Sequence, residues 1–152
     1  ITPMGLNDLL NNIALAKDNE KVLGIYLRGG ELNAGPAAAK ALRDALFDFK
    51  QSGKFIVAYA DSYTLTNYYI VSVADKIYLN PVGIIAWDGM IAHKQYFKRL
   101  LDKIGVEMQI LKVGTFKSAV EPYFRTSMSH EDRQQTEQYL NGIWSELLKF
   151  NL

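Results

Sequence analysis

Phe55-Ile-Val-Ala-Tyr-Ala-Asp-Ser-Tyr-Thr-Leu-Thr-Asn-Tyr-Tyr-Ile-Val-Ser-Val-Ala-Asp-Lys-Ile-Tyr-Leu-Asn-Pro81 is the stretch whose reading decides the fold. Phe55 to Ala60 is an apolar run of strand length, and the polar segment Asp61 to Thr64 reads as a loop. Thr66 to Ala74 reads as a short helix, and Lys76 to Leu79, closed by Pro81, as the next strand. Strand, helix and strand in that order make a βα unit whose strands run parallel.

The same alternation extends in both directions. Upstream, Leu6, Leu9, Leu10, Ile13 and Ala14 repeat at helical spacing, and Lys21 to Leu27 reads as a buried strand ending in Gly29-Gly30. Gly35-Pro36 can start a helix, and Ala38, Ala41, Leu42, Ala45, Leu46 and Phe49 form an apolar stripe that stops near Gly53. Downstream, a weaker strand is expected over Gly83 to Ala86, a helix over Lys94 to Ile104 and a strand over Val106 to Val113. The final helix opens at Ser129 with Asp132 three residues on, an approximate capping box. Tyr139, Leu140, Ile143, Trp144, Leu147 and Leu148 give it a broader apolar face than one domain needs, which suggests a partner. The expected fold is α/β, repeated βα units with a mostly parallel sheet flanked by helices, whose active loops gather at the carboxyl ends of the strands.

The chain has 152 residues, 49% apolar and 22% charged, the proportions of an ordinary folded protein. No repeat or linker divides it, so one domain over residues 1–152 is expected. Its net charge of +1 supplies no field for nucleic acid or an anionic membrane. Without cysteine, thiol nucleophiles, thiolate metal sites and disulfides are excluded. The longest apolar runs fall short of the roughly 20 residues of a membrane span. Because the chain opens at Ile1 without a leader pattern, and its helical pattern is still running at Phe150, the natural polypeptide is expected to be longer.

Candidate chemistry is sparse. Gly29-Gly30 could offer backbone N–H groups to an oxyanion, but Arg28 to Gly35 fits neither the dinucleotide nor the P-loop spacing, and a plain turn is favoured. His93 and His130 have no ligand-spaced partners, and no GxSxG turn is present, so neither a metal site nor a Ser-His-Asp triad is indicated. Lys94, Lys98, Arg99 and Lys103 read as a solvated basic stripe on one helix, and Tyr68-Tyr69 as core packing. In Lys112-Val-Gly-Thr-Phe-Lys-Ser-Ala-Val-Glu-Pro122 one lysine, Lys117, stands in a loop of small and turn-forming residues. A desolvated lysine there can serve as a general base, although the residues alone favour a surface charge.

Three segments in order, Arg28-Gly29-Gly30, Asp61 to Pro81 and Lys112 to Pro122, resemble the signal peptide peptidase A (protease IV) family, peptidase family S49. The likeness covers nearly the whole chain and is to the amino-terminal repeat of the long, duplicated form. The resemblance implies a ClpP/crotonase-like fold and a serine endopeptidase that degrades cleaved signal peptides through a Ser/Lys dyad. Lys117 matches the family's lysine base. Family members with a complete nucleophile segment carry Ser-Gly-Gly before an aromatic pair; here the corresponding residues are Leu65-Thr66-Asn67 before Tyr68-Tyr69, so Leu65 occupies the nucleophile position. Thr64 and Thr66 would need a displaced backbone to replace it, and Ser62 and Ser118 do not match the position. Gly29 and Gly30 align with the family's oxyanion segment.

In the long form, the resemblance further implies, the serine comes from the carboxy-terminal repeat of the same protein. It also implies a homo-oligomer acting on apolar signal peptides at the bacterial inner membrane, on the extracytoplasmic side, with no metal or other cofactor. Two alternatives stand beside this reading: a non-catalytic repeat that assembles the oligomer through its last helix, and a crotonase-like thioester binder, for which the residues show no coenzyme A feature.

Overall fold

The computed structural model describes residues 4–29, 34–111 and 118–149. These form two compact units that divide between Asp88 and Gly89. The first contains a parallel sheet in the order β1 (Gly24–Arg28), β2 (Phe55–Thr64), β3 (Lys76–Ala86). Helix α1 (Leu6–Asp18) precedes β1, α2 (Pro36–Lys50) joins β1 to β2, and α3 (Leu65–Val71) joins β2 to β3. The register sets Leu27 beside Ala58, Ala58 beside Ile77 and Ala60 beside Leu79. The chain is thus mixed α/β with helix-linked parallel strands, as the βα alternation requires.

Helical spacing produces the core directly. Pro36 opens α2 after Gly35, and Ala39, Leu42, Leu46 and Phe49, spaced by three and four residues, are all buried. On β2 the alternate residues Ile56, Ala58 and Ala60 are buried on one face, where Ala58 and Ala60 cluster with Tyr63 and Val71. Lys54 ties the layers together: its ammonium donates to the carbonyls of Ala16, Lys17 and Asn19 at 2.8, 2.7 and 2.8 Å, satisfying backbone acceptors at the end of α1.

Asp75, at the turn into β3, closes the start of β2. Its N–H donates to the Ile56 carbonyl, its Oδ2 accepts from the Ile56 N–H at 2.8 Å, and its Oδ1 pairs with Lys50 Nζ at 2.8 Å. The Lys50 ammonium and the Ile56 N–H hold the Asp75 carboxyl below its ordinary value of 3.8. A depressed acid stabilises the fold above its unfolded value, and that contribution is lost as pH falls through the lower folded value. Asp75→Asn is therefore expected to lower stability at pH 7 by no more than about 1 kcal/mol, because the ion pair is partly screened by solvent. Urea unfolding should show the difference from the parent chain shrinking steadily below pH 3.8.

Three expectations are corrected. Asp61 to Thr64 is not a loop but the continuation of β2, and the expected strands Lys76 to Leu79 and Gly83 to Ala86 are one strand, β3. The register explains both. After Ala60↔Leu79 the next pair is Ser62↔Ile84, so residues 80–83 bulge opposite Asp61 and absorb Pro81, which has no N–H for a ladder. Gly83 is required at this bulge, since a Cβ there would lie 2.2 Å from the Asp61 carbonyl oxygen. Finally, residues 106–111 carry no strand. Val106, Met108 and Leu111 are exposed, Leu111 completely, and an apolar run without a neighbouring strand has no ladder to join; residues 112 and 113 lie outside the described residues.

The second unit holds α4 (Lys98–Lys103), a 3₁₀ turn at Ser118–Val120, α5 (Glu121–Phe124) and α6 (His130–Leu148). Helix α4 starts later than the expected Lys94. Lys94 Nζ pairs with Asp132, the Phe97 N–H donates to the Pro122 carbonyl at 2.7 Å, and the Phe97 ring stacks on Tyr123. The segment before Lys98 is thereby committed to tertiary contacts. Gly105, at φ +74°, lies just beyond the helix in the left-handed conformation that suits a helix stop. The expected basic stripe is only partly a solvated face: Lys98 pairs with Asp102 one turn on, whereas Lys94 meets a buried carboxylate.

Candidate active site

Parallel strands deliver their carboxyl ends to one edge of the sheet, where α/β proteins build their sites. Leu65 stands at such an end, as the first residue of α3 immediately after β2. Thr64 is the N-cap, in extended conformation, and its hydroxyl accepts from the Asn67 N–H at 3.2 Å. That hydroxyl is engaged in holding the turn. The aromatic pair behind it locks the helix: Tyr69 is buried with the Arg43 guanidinium 5.2 Å from its ring centre, and Tyr68 meets Tyr63 and Trp87 edge-on at 6.1 and 5.7 Å. Leu65 is thus held at a strand-to-helix turn with a side chain that carries no heteroatom.

Gly29 follows β1 directly. Its N–H donates to the Tyr59 carbonyl at 2.7 Å, and a Cβ on it would lie 2.5 Å from the Ala60 Cβ. Glycine is needed there for close approach of two strands, and its N–H belongs to the sheet in this conformation. An oxyanion donor from this turn would fall to Gly30, which, like Lys117, lies outside the described residues.

Where β2 and β3 bulge, Asp61 accepts from the Tyr59 hydroxyl at 3.0 Å and the Asn80 amide at 2.9 Å, and Asn80 Oδ1 accepts from the Val82 N–H at 3.1 Å. The Asn80 and Tyr59 hydrogen bonds hold the Asp61 carboxyl below its ordinary range, and the bond to Asp61 raises the Tyr59 phenol. Sequence reasoning missed this staple, because Asn80 and Asp61 are 19 residues apart. Ser62, on β2, is exposed.

In the second unit, the residues that follow Lys117 are anchored on α6. Ser118 Oγ donates to Gln135 Oε1 at 3.3 Å. Glu121, 3% exposed, accepts from the Ser129 hydroxyl at 2.7 Å through Oε1 and from the Ser129 N–H at 3.2 Å through Oε2. The Ser129 hydroxyl also accepts from the Asp132 N–H at 3.0 Å, so the capping box is realised in a mixed form: serine caps the helix as expected, while Glu121 takes the serine N–H. Asp132, 1% exposed, is paired with Lys94. The Tyr96 hydroxyl is buried nearby, its phenol raised first by burial and then by the Asp132 charge. Only Ser129 and Asp132 of this network carried a local signal, the capping pattern. His93 and His130 are exposed. Among the described residues no cluster of His, Asp or Glu has metal-binding geometry, and no helix is long and apolar enough to cross a membrane.

Helix-linked parallel strands of this kind define an α/β protein, and membership of peptidase family S49 makes its class ClpP/crotonase-like. The chain belongs to peptidase family S49, whose family model, "Peptidase family S49", matches residues 48–150. It is 38% identical over 143 residues to "Protease 4" of Haemophilus influenzae, covering 91% of this chain and 23% of that protein. It is 35% identical over 144 residues to "Protease 4" of Salmonella typhi, covering 94% of this chain and 23% of that protein. A plant relative, "Serine protease SPPA, chloroplastic" of Arabidopsis thaliana, is 28% identical over 145 residues, covering 95% of this chain and 21% of that protein. The chain therefore spans less than a quarter of the length of these relatives.

Proposed function

We propose that this chain is the lysine-contributing repeat of a Ser/Lys-dyad endopeptidase. The observation that carries the reading is Leu65 at the first position of α3: the family's nucleophile position is occupied by a hydrocarbon, while the Lys117 segment is intact. In this reading Lys117 Nζ takes the proton from a serine hydroxyl supplied by the carboxy-terminal repeat. The serine oxygen attacks the peptide carbonyl, the amine leaves with a proton returned by the lysine, and water then releases the acyl group by the same base. Gly30 is the proposed oxyanion donor, with Gly29 holding the turn against β2. Residues 1–152 constitute one ClpP/crotonase-like domain of the longer protein, which forms a homo-oligomer. Its substrates are cleaved signal peptides, at the extracytoplasmic side of the bacterial inner membrane.

The test is hydrolysis of a fluorogenic apolar peptide ester by the complete two-repeat protein and by residues 1–152 alone at equal concentration. The complete protein is expected to turn over and the isolated chain to show no rate above buffer. A rate for the isolated chain within tenfold of the complete protein would overturn the shared-site reading. A second reading, an assembly repeat without catalytic role, is favoured by the apolar face of α6, where Tyr139 is 67% and Leu148 41% exposed. It predicts normal turnover after removal of the Lys117 amine, together with loss of assembly when that face is charged.

A further inference from the structure

A parallel sheet is covered on both faces as a rule, because the helices that join its strands lie across it. In the first unit one face is covered. Ala58 and Ala60 of β2 cluster with Val71 of α3, and Leu27, Ile77 and Leu79 of the three strands' inner face pack against them. The register carries the alternate residues to the opposite face: Gly24 beside Phe55, Tyr26 beside Val57 and Lys76, and Arg28 beside Tyr59 and Tyr78. There Tyr26 is 62%, Phe55 53% and Tyr78 50% exposed. A Cβ on Gly24 would lie 2.6 Å from the Phe55 ring, so glycine in this row leaves the ring room to lie against β1. The sheet thus presents an open aromatic floor, with the exposed cations Arg28 and Lys76 beside it.

An aromatic side chain buries about 150–250 Å² when it is covered, and a contiguous patch of such residues marks an interaction surface. We propose that an amphipathic helix from the part of the full-length protein outside residues 1–152 packs on this face, its apolar stripe against Tyr26, Phe55 and Tyr78 and its flanking carboxylates opposite Arg28 and Lys76. Two observations select that occupant. The chain spans less than a quarter of the length of its relatives, so most of such a protein is available to supply the cover. A segment of the same polypeptide also meets the face at an effective concentration of order mM, which a free second copy does not reach. The second observation is charge: cations at Arg28 and Lys76 call for acidic residues on the partner, whereas Asp61, farther along β2, is held by Tyr59 and Asn80. The proposal rests on the reading of these residues as one domain of a longer protein and does not depend on the Ser/Lys chemistry.

The experiment uses the full-length protein with Tyr26 or Tyr78 replaced by p-benzoylphenylalanine, an aromatic that joins to neighbouring C–H bonds on illumination, followed by peptide mapping. The expected result is a product of unchanged mass from both positions, joined to one and the same segment outside residues 1–152. That segment should be apolar at every third or fourth residue, with Asp or Glu on its flank. Phe47, exposed on α2 outside its buried stripe, carries the same group as a control and should not reach it. Products joined within residues 1–152, products of doubled mass, or no product from either tyrosine position overturn the proposal, as does a joined segment with the alternating pattern of a strand. Should one labelled variant fail to fold or to react, the other decides by the same reading. The mass of the natural polypeptide separates the two levels: a polypeptide of only 152 residues defeats both, whereas a longer protein without the expected product defeats only the docking.

Discussion

On the proposed Ser/Lys reading, Lys117→Ala in the full-length protein is expected to lower kcat by roughly 10,000-fold while leaving the melting temperature unchanged. The size follows from the chemistry. A serine hydroxyl is a weak nucleophile until a base accepts its proton, and in a dyad the lysine is both that base and the acid that returns a proton to the leaving amine. For a lysine to act so near neutral pH, its preference for the charged form must fall by about three pKa units, or roughly 4 kcal/mol, which desolvation in a closed cleft can supply. Lys117→Arg should not restore turnover, since a guanidinium does not give up its proton in this range. Steady-state ester cleavage, with unfolding followed in parallel, checks both variants. Turnover of Lys117→Ala within tenfold of the parent would instead make this domain an assembly element.

The second large effect concerns folding. Phe49 is completely buried on the inner stripe of α2, and the Lys54 ammonium that satisfies three carbonyls at the end of α1 lies 5.8 Å from its ring centre. Phe49→Ala removes the ring from beneath that junction and leaves a cavity that α1, α2 and β2 cannot fill without losing their own contacts. The expected cost is about 3 to 5 kcal/mol, a large share of the roughly 5 to 15 kcal/mol that stabilises a domain. For a chain of this size that corresponds to a melting temperature lower by roughly 6 to 20 °C. Phe49→Leu, which refills most of the volume, should recover more than half. An Ala variant melting within 2 °C of the parent would show that Phe49 is not part of the cooperative core.

The alternation of elements was legible in the residues because it is local. The stripe Leu42, Leu46, Phe49 repeats at the helical period, Pro36 marks a helix start, and Ser129 caps α6 by bonding a backbone N–H three residues on. The departures share one cause. β2 runs through the polar Asp61 to Thr64, and β3 through Pro81, because each strand supplies the other's ladder partners and a bulge absorbs the proline. Residues 106–111, apolar enough for a strand, pair with no strand among the described residues and form none.

The site divides the same way. Leu65, where the proposed reading expects the nucleophile, and the Lys117 segment are statements about residue identity, complete in the one-dimensional chain. That the Gly29 N–H is committed to Tyr59, that Asn80 staples Asp61, and that Glu121 rather than Asp132 takes the Ser129 N–H depend on partners 30, 19 and 8 residues away. The sequence by itself therefore determined which elements form and which chemical groups are present or missing. The tertiary structure alone decided which donors and acceptors remain for chemistry, because a buried hydrogen-bonding group takes its partner from whatever the fold brings within 3 Å, and periodicity carries no record of that choice.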